Sequence, residues 1–483
     1  MSEPAATELP GESFERWRQR IGLGLGPALA LLAWWLGQGS ASPALAGLLV
    51  LCVTWWLTEA LPMAVVGLVA AVGAVVTGLA KPEVAFGAFG YPLLYLFIGS
   101  FFIAEAMRVH GLGERLASAM AGRAHSRLSL LVVVSIVAFT LSTVMSNTAA
   151  TAIVLPIALA AAAAIGDARL STALVLAVAW GASVGGLGTP VGTPPNLIGL
   201  RELREHGIEL SFLGWMAIGV PVGLVLLAGM IGVLCLFFGI RRKQPLAVRL
   251  ARTERPWNRG EIAVLACIAL ALTGWLLPSL LQIAVPGSPV ERWVAEHVTE
   301  EVVAVVAGCL LFVLPGGSAR VRRPALTWDE AIRIDWSLIL LFGGGVLLGK
   351  LAKQTGLVDE WGGWLVQITG AGSTWSIVAL VTAASILLSE ATSNTATATL
   401  MAPLAAGLAA AAHAAPVPSV LGATLGASFG FMMPISTAPN AMAYATRKVT
   451  VGQMARAGVI FDVVGFVLIV GGLRLFAPLF GWS

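Results

Sequence analysis

Runs of about 18 or more apolar residues recur along almost the whole of this 483-residue chain, and that feature leaves few folds open. Each run is long enough to cross the hydrocarbon core of a bilayer as a helix. Within lipid every backbone N–H and C=O needs a protein partner, so spanning segments are helices or closed barrels. A barrel reads as short alternating segments, and the sequence has none. Composition agrees, with 58% hydrophobic and only 11% charged residues, against roughly 25% charged in a soluble domain. The expected fold class is an all-α polytopic membrane protein.

The apolar segments fall at about 21–38, 44–61, 63–80, 91–109, 127–145, 148–165, 171–191, 195–205 and 213–239. They resume at about 260–281, 301–317, 336–353, 375–391, 395–413, 417–435, 439–447 and 456–480. The charged stretch 241–259 reads as a cytoplasmic linker between a first half, 21–240, and a second, 260–483. Residues 1–20 mix Glu3, Glu8, Glu12 and Glu15 with Arg16, Arg18 and Arg20, which suits a cytoplasmic tail rather than a cleaved signal peptide. Cys52, Cys235, Cys267 and Cys309 stand singly in apolar stretches, as small buried hydrophobes. The Arg-rich runs lack interleaved aromatics or a groove-reading motif, so no nucleic-acid partner is expected. Trp34-Trp35, Trp55-Trp56, Trp361 and Trp364 lie toward span ends, where contact with membrane lipid explains them.

Two polar triplets interrupt this pattern, Ser146-Asn147-Thr148 and Ser393-Asn394-Thr395. Each is followed by Ala and, eight residues beyond its Thr, by Pro156 or Pro403. A second pair comes later, Gly192-Thr193-Pro194-Pro195-Asn196 and Ser436-Thr437-Ala438-Pro439-Asn440. The Asn residues of the triplets lie 247 positions apart and those of the second pair 244 apart. A lone Ser-Asn-Thr is fully explained as a helix cap. Capping does not explain two copies in the same order at nearly one offset, so the chain reads as a duplicated membrane unit. In the first copy, 127–165 forms a hairpin and 171–205 a broken helix; in the second, these are 375–413 and 417–447.

Lys and Arg give the orientation. With a cytoplasmic N-terminus and each hairpin returning to its own side, the inner loops collect Arg108, Arg115, Arg123 and Arg127, the basic residues of 241–259, Arg320, Arg322 and Arg323, and Arg447, Lys448 and Arg456. The outer loops keep chiefly Lys81, Arg201, Arg204, Arg292, Lys350 and Lys353, offset by acids that include Glu202, Glu205, Glu300 and Glu301. This is the positive-inside pattern. It inserts the two halves oppositely and leaves the C-terminus extracytoplasmic.

A helix broken inside a bilayer is tolerated only where protein or a cavity supplies partners for the freed backbone. Pro194-Pro195 and Pro439 force such breaks, and Gly185, Gly186, Gly188 and Gly192 let the backbone turn and approach a ligand. The amides that begin the following half-helices favour an anion. The freed carbonyls, with Ser, Thr and Asn oxygens, suit a hard cation. Paired discontinuous helices in inverted repeats point to a transport site at the midplane.

At these motifs the chain resembles the divalent anion:sodium symporter family, over about 20–480. The resemblance rests on the doubled triplet, Glu390, Gly192-Thr193-Pro194-Pro195-Asn196 and Phe431-Met432-Met433-Pro434. It implies an inverted-repeat, elevator-type transporter with about eleven transmembrane helices plus two re-entrant hairpins, working as a homodimer in a cell membrane such as a bacterial inner membrane. It implies one sodium site of Ser142, Ser146, Asn147 and Gly192 and a second of Ser389, Thr392, Asn394 and Ser436. It places the anion among Asn147, Thr148, Thr193, Asn394, Thr395 and Thr437, with no arginine and no organic cofactor. Two positions depart from the family pattern: Ala438, where a first Pro is usual, and Thr392, where a small apolar residue is common.

The resulting expectation is sodium-coupled transport of C4-dicarboxylates (succinate, malate, fumarate), since Thr148 and Thr395 offer matching hydroxyls to two carboxylates. Sodium-independent dicarboxylate exchange, a citrate or sulfate carrier of the same family, and an anion channel remain alternatives. An enzyme is disfavoured: no nucleophile elbow, Walker loop or H-E-x-x-H spacing is present. Of the intramembrane acids, Glu59 and Glu105 are expected to make structural hydrogen bonds, Glu390 to order the second triplet's tip, and Asp462 to be a satisfied buried acid.

Overall fold

The computed structural model describes residues 12–121, 124–241, 256–317, 323–370 and 372–482. Residues 1–11 of the tail, Arg123, 242–255 of the linker, and Arg320 and Arg322 lie outside them. Among the described residues the chain is helical, apart from loops and isolated bridge positions such as the pair Pro315 and Pro324. The helices of the first half are α1 (Glu12–Leu36), α2 (Pro43–Thr58), α3 (Met63–Val76), α4 (Pro82–Gly87), α5 (Pro92–His110), α6 (Leu112–Ala121), α7 (Arg127–Ser142), α8 (Asn147–Ile165), α9 (Ala168–Gly185), α10 (Pro194–Glu205) and α11 (Phe212–Phe238). Those of the second are α12 (Arg259–Ala284), α13 (Pro289–His297), α14 (Glu300–Leu310), α15 (Trp328–Ala331), α16 (Trp336–Gln354), α17 (Leu357–Thr369), α18 (Thr374–Ala391), α19 (Asn394–Ala411), α20 (Pro416–Ala427), α21 (Ala438–Ala445) and α22 (Val451–Phe476). Among the described residues, nine helical segments are long and apolar enough to cross a membrane, and three more apolar helices are shorter.

Helix starts are marked by polar caps, which relieve amides that lipid cannot serve. Ser126, Ser146, Asp167, Ser211, Asn258, Ser373, Ser393 and Thr450 each accept a hydrogen bond from an amide of the turn that follows. The helices follow the apolar segments closely. They differ where amphipathic pieces replace apolar ones: α6, α13 and α17 carry charges among their apolar residues and leave no long apolar run. α1 begins at Glu12, inside the expected tail. α20 ends at Ala427, eight residues short of the apolar segment that contains it, because the chain turns irregular before Pro434.

The chain divides into two compact units. One comprises Met1–Tyr91 with Trp336–Ile368. In it α1 packs on α2 and α3 on α16. Gly67 and Gly344 let the latter backbones touch, since a Cβ on Gly344 would meet the Gly67 carbonyl oxygen at 2.8 Å. Glu59, at the left-handed end of α2, accepts from Arg18 at 2.6 Å.

The other unit comprises Pro92–Asp335 with Thr369–Ser483 and holds both triplets and both breaks. Its centre is α9, and the chain is buried without interruption from Leu170 to Thr193. α7, α8, α11 and α21 pack on α9, while α18, α19 and α20 pack on one another. The helices that follow the breaks are exchanged between halves: α10 packs on α19 and α20, and α21 packs on α8 and α9.

Candidate functional site

All four sequence motifs fall at helix N-termini. Asn147 opens α8 behind the cap Ser146, and Asn394 opens α19 behind the cap Ser393. Thr193 precedes Pro194 at the start of α10, and Thr437 precedes Ala438 at the start of α21. Ser146 and Thr148 are exposed, whereas Asn147, Asn394, Thr395 and Thr437 are half-buried. A helix N-terminus carries partial positive charge and unpaired amides, so four such ends within one unit supply an anion-favouring environment without a charged side chain.

The first triplet is tied to the first break. Ser142 Oγ donates to Asn147 Oδ1 at 2.6 Å, across the turn between α7 and α8. The place where a Cβ on Gly186 would sit is lined by Asn147 Oδ1, by the Gly192 carbonyl oxygen at 3.2 Å and by Thr193 Cβ at 3.2 Å. Only a glycine at 186 admits the Asn147 side chain there. Of the four residues expected at the first sodium site, Asn147 and Gly192 bring oxygens beside Gly186, and Ser142 Oγ is bonded to the first of these. In the fourth, Ser146, the hydroxyl oxygen accepts from the Ala149 amide at 3.2 Å and the carbonyl from the Ala150 amide at 3.0 Å, so both begin α8.

The second half repeats this with the same spacing. Ser389 Oγ donates to Asn394 Oδ1 and to the Ala427 carbonyl, both at 2.8 Å. A Cβ on Gly430 would meet the Ser389 carbonyl oxygen at 2.9 Å and Ser436 Oγ at 3.2 Å. Ser436 Oγ donates to the Gly430 and Met433 carbonyls, each at 2.7 Å, which commits the hydroxyl to the loop. Thr392 is likewise committed, donating to the Leu388 carbonyl at 3.0 Å and bonding Thr397 Oγ1 at 2.8 Å.

The halves differ in what fastens the loop to the hairpin. Thr189 Oγ1 donates to the Thr143 carbonyl at 2.6 Å in the first. In the second, the residue 247 positions on from Thr143 is Glu390. Its Oε1 accepts from the amides of Phe431 at 2.5 Å and Met432 at 2.8 Å, and its Oε2 from that of Met433 at 3.1 Å. Glu390 was expected to order the triplet's own tip. It orders the break instead, because the amides of Phe431, Met432 and Met433 lie in the irregular stretch after α20, where one carboxylate serves all three.

Asp462 has the partner that the sequence could not name. It is buried, and the group that its carboxyl meets is another acid, the carboxyl of Glu390. Glu105 accepts from Arg108 at 2.8 and 2.5 Å, as a structural acid would. At the far end of α10 sits a charged group that the sequence did not single out. Arg204 contacts Glu301 at 2.6 Å and Glu300 at 3.4 Å, and Glu300 accepts from the Phe212 amide at 2.5 Å. Burial pushes the Glu300 carboxyl up to about 7, with Arg204 opposing the shift. Its only sequence signal is an acid pair at the start of an apolar helix.

The family model described as "Citrate transporter" matches residues 53–426 and again 293–483. The sodium-dependent dicarboxylate transporter SdcS of Staphylococcus aureus strain USA300 is 30% identical over 478 residues, covering 94% of this chain and 90% of the relative. SdcS of Staphylococcus saprophyticus is 30% identical with the same coverage. Among solved structures, the Alcanivorax borkumensis YdaH transporter superposes with a TM-score of 0.54 at 14% identity, over 83% of this chain and 88% of that one, a likeness of fold. The family match across most of the sequence and relatives at this identity place the chain, a multi-pass membrane protein, in the divalent anion:sodium symporter family, whose members are transporters and not enzymes.

Proposed function

We propose that this chain couples sodium entry to the secondary transport of C4-dicarboxylates such as succinate, malate and fumarate. The observation that carries the reading is the repeated bond from Ser142 to Asn147 and from Ser389 to Asn394, each beside the break of its own half. In this reading Ser142, Ser146, Asn147 and Gly192 hold one sodium ion, and Ser389, Thr392, Asn394 and Ser436 hold another. The anion lies among Asn147, Thr148, Thr193, Asn394, Thr395 and Thr437. None of these residues carries a charge, so the two carboxylates are balanced by the bound sodium ions and the four helix N-termini. The relatives' names, sodium-dependent dicarboxylate transporters, support both halves of the reading.

The same proposal takes 127–165 and 375–413 as re-entrant hairpins of two inverted repeats, 21–240 and 260–483, joined by a cytoplasmic linker at 241–259. The N-terminus is cytoplasmic and the C-terminus extracytoplasmic. The protein is a homodimer that moves its site across the membrane elevator-fashion. Sodium binding first would set the hairpin tips so that the anion meets a completed pocket, which couples the two fluxes.

Uptake of labelled succinate into proteoliposomes, with and without an inward sodium gradient, tests the reading. Uptake that rises with the gradient is expected, together with competition by malate and fumarate ahead of citrate and sulfate. Equal rates without sodium would identify an exchanger, and currents far above carrier turnover a channel.

A further inference from the structure

Asn196 and Asn440 stand outside the ligand sets proposed above, yet they make the same bonds at the two breaks. Each is wholly buried at the third position of the helix after its break. Asn196 Nδ2 donates to the carbonyls of Gly186 and Thr189, both at 2.7 Å. Asn440 Nδ2 donates to the carbonyls of Gly430 at 2.7 Å and Met433 at 3.1 Å. In each half the acceptors lie ten and seven residues before the Asn.

These bonds decide which oxygens of the break stay free. A stretch between two helix segments has carbonyls that no helix uses, and each turns toward whatever donor or cation it finds. The amide takes two of them. At the first break the Gly192 carbonyl oxygen and Asn147 Oδ1 both lie beside Gly186, whose own carbonyl the Asn196 amide holds. A cation shell binds tightly only when its oxygens are held before the ion arrives. Resting on the sodium-coupled reading, we infer that Asn196 and Asn440 are a matched pair of positioning residues. Each clamps the loop of its break so that the remaining oxygens are preset for sodium, while touching neither sodium nor anion.

The two clamps are not equally supported. Ser436 Oγ donates to the same Gly430 and Met433 carbonyls that Asn440 serves, and accepts from Asn440 Nδ2 at 3.2 Å. The position 244 residues earlier is Gly192, which has no side chain, and a Cβ there would meet the Gly186 carbonyl oxygen at 2.5 Å. The second loop thus keeps a side-chain tie on both carbonyls when Asn440 is lost, whereas without Asn196 the Gly186 carbonyl loses its side-chain donor and the Thr189 carbonyl keeps only the Gly192 amide at 3.3 Å.

The experiment measures succinate uptake against sodium concentration, and KM for succinate at saturating sodium, in wild type and in the Asn196→Ala, Asn196→Asp and Asn440→Ala variants. Asn196→Ala should raise the half-saturating sodium concentration about tenfold or more, the scale of losing two buried hydrogen bonds. Asn440→Ala should raise it by about threefold, and KM at saturating sodium should stay within about twofold in both. Asn196→Asp, which keeps the shape but loses the donor, should be no better than Asn196→Ala. If a variant does not accumulate, Asn196→Ser, which retains one donor, should give an intermediate shift in the sodium-induced rise of melting temperature in detergent. An unchanged sodium curve, a KM shift of equal size, or a larger effect at Asn440 than at Asn196 would overturn the inference. Wild-type uptake indifferent to sodium would instead overturn the sodium-coupled reading.

Discussion

Replacing Glu390 asks how much of the second break depends on one side chain. Its carboxylate accepts from three consecutive amides at 2.5, 2.8 and 3.1 Å and is buried. A hydrogen bond to a charged group contributes roughly 1.5–3 kcal/mol, and a neutral one roughly 0.5–1.5 kcal/mol. Glu390→Gln keeps one oxygen for Phe431 and Met432 as a neutral acceptor but turns an NH2 group onto the Met433 amide. The loss is about one charged bond plus the weakening of two others, about 3 kcal/mol at the lower end. Glu390→Ala leaves three buried amides unsatisfied at roughly 1–3 kcal/mol each. Part of this falls on folding and part on the sodium-bound geometry of the break. If half of the lower figure reaches the second sodium site, sodium affinity falls about tenfold, since 1.4 kcal/mol is one decade. The assay is the sodium dependence of succinate uptake in proteoliposomes, with the melting temperature in detergent measured alongside, with and without sodium. Both variants should show a right-shifted sodium curve and a smaller stabilisation by sodium. Wild-type sodium curves and melting temperatures in both would refute the argument that Glu390 fastens the break.

Asn147→Ala and Asn394→Ala should each abolish uptake while the protein still accumulates in the membrane, as seen by blotting and size-exclusion chromatography; wild-type uptake by either contradicts the site assignment. Gly186→Ala should reduce uptake at least about tenfold, because the new methyl takes the space of Asn147 Oδ1, and an active alanine variant would show that this side chain moves away without consequence. Asp167 caps α9 and pairs with Arg127. The Leu170 amide first, and then Arg127, hold its carboxyl below the usual carboxylate value against the opposing effect of burial. That stabilisation is full above the unfolded value of about 3.9 and is lost as pH falls through the lower folded value. Asp167→Ala should therefore destabilise by about 1 kcal/mol at pH 7, seen as a lower melting temperature, with the gap to wild type closing only as pH falls below about 4.

Much of the architecture was legible because a bilayer imposes one rule on every segment. A run such as 213–239 has to be a helix in lipid whatever surrounds it, and α11 spans Phe212–Phe238. The polar triplets were equally direct, since a Ser followed by Asn and Thr inside an apolar run can hardly do other than begin a helix. α6, α13 and α17 were not legible, because amphipathic pieces with charges present no such run. The division of 417–447 was legible only as a break near Pro439. That α20 stops as early as Ala427 depends on the loop being held by groups elsewhere in the chain.

The sequence by itself determined the helical class, the starting points of the key helices and the pairing of motifs at offsets of 247 and 244, because these follow from local chemistry and from counting. Only the tertiary structure decided what each polar group holds. Glu390 reaches amides 41 to 43 residues away, Ser389 reaches the Ala427 carbonyl, and Asp462 meets the carboxyl of Glu390. A hydrogen bond is selected by distance and direction within a few tenths of an ångström. Those are fixed when helices distant in sequence pack together, and no local pattern carries them.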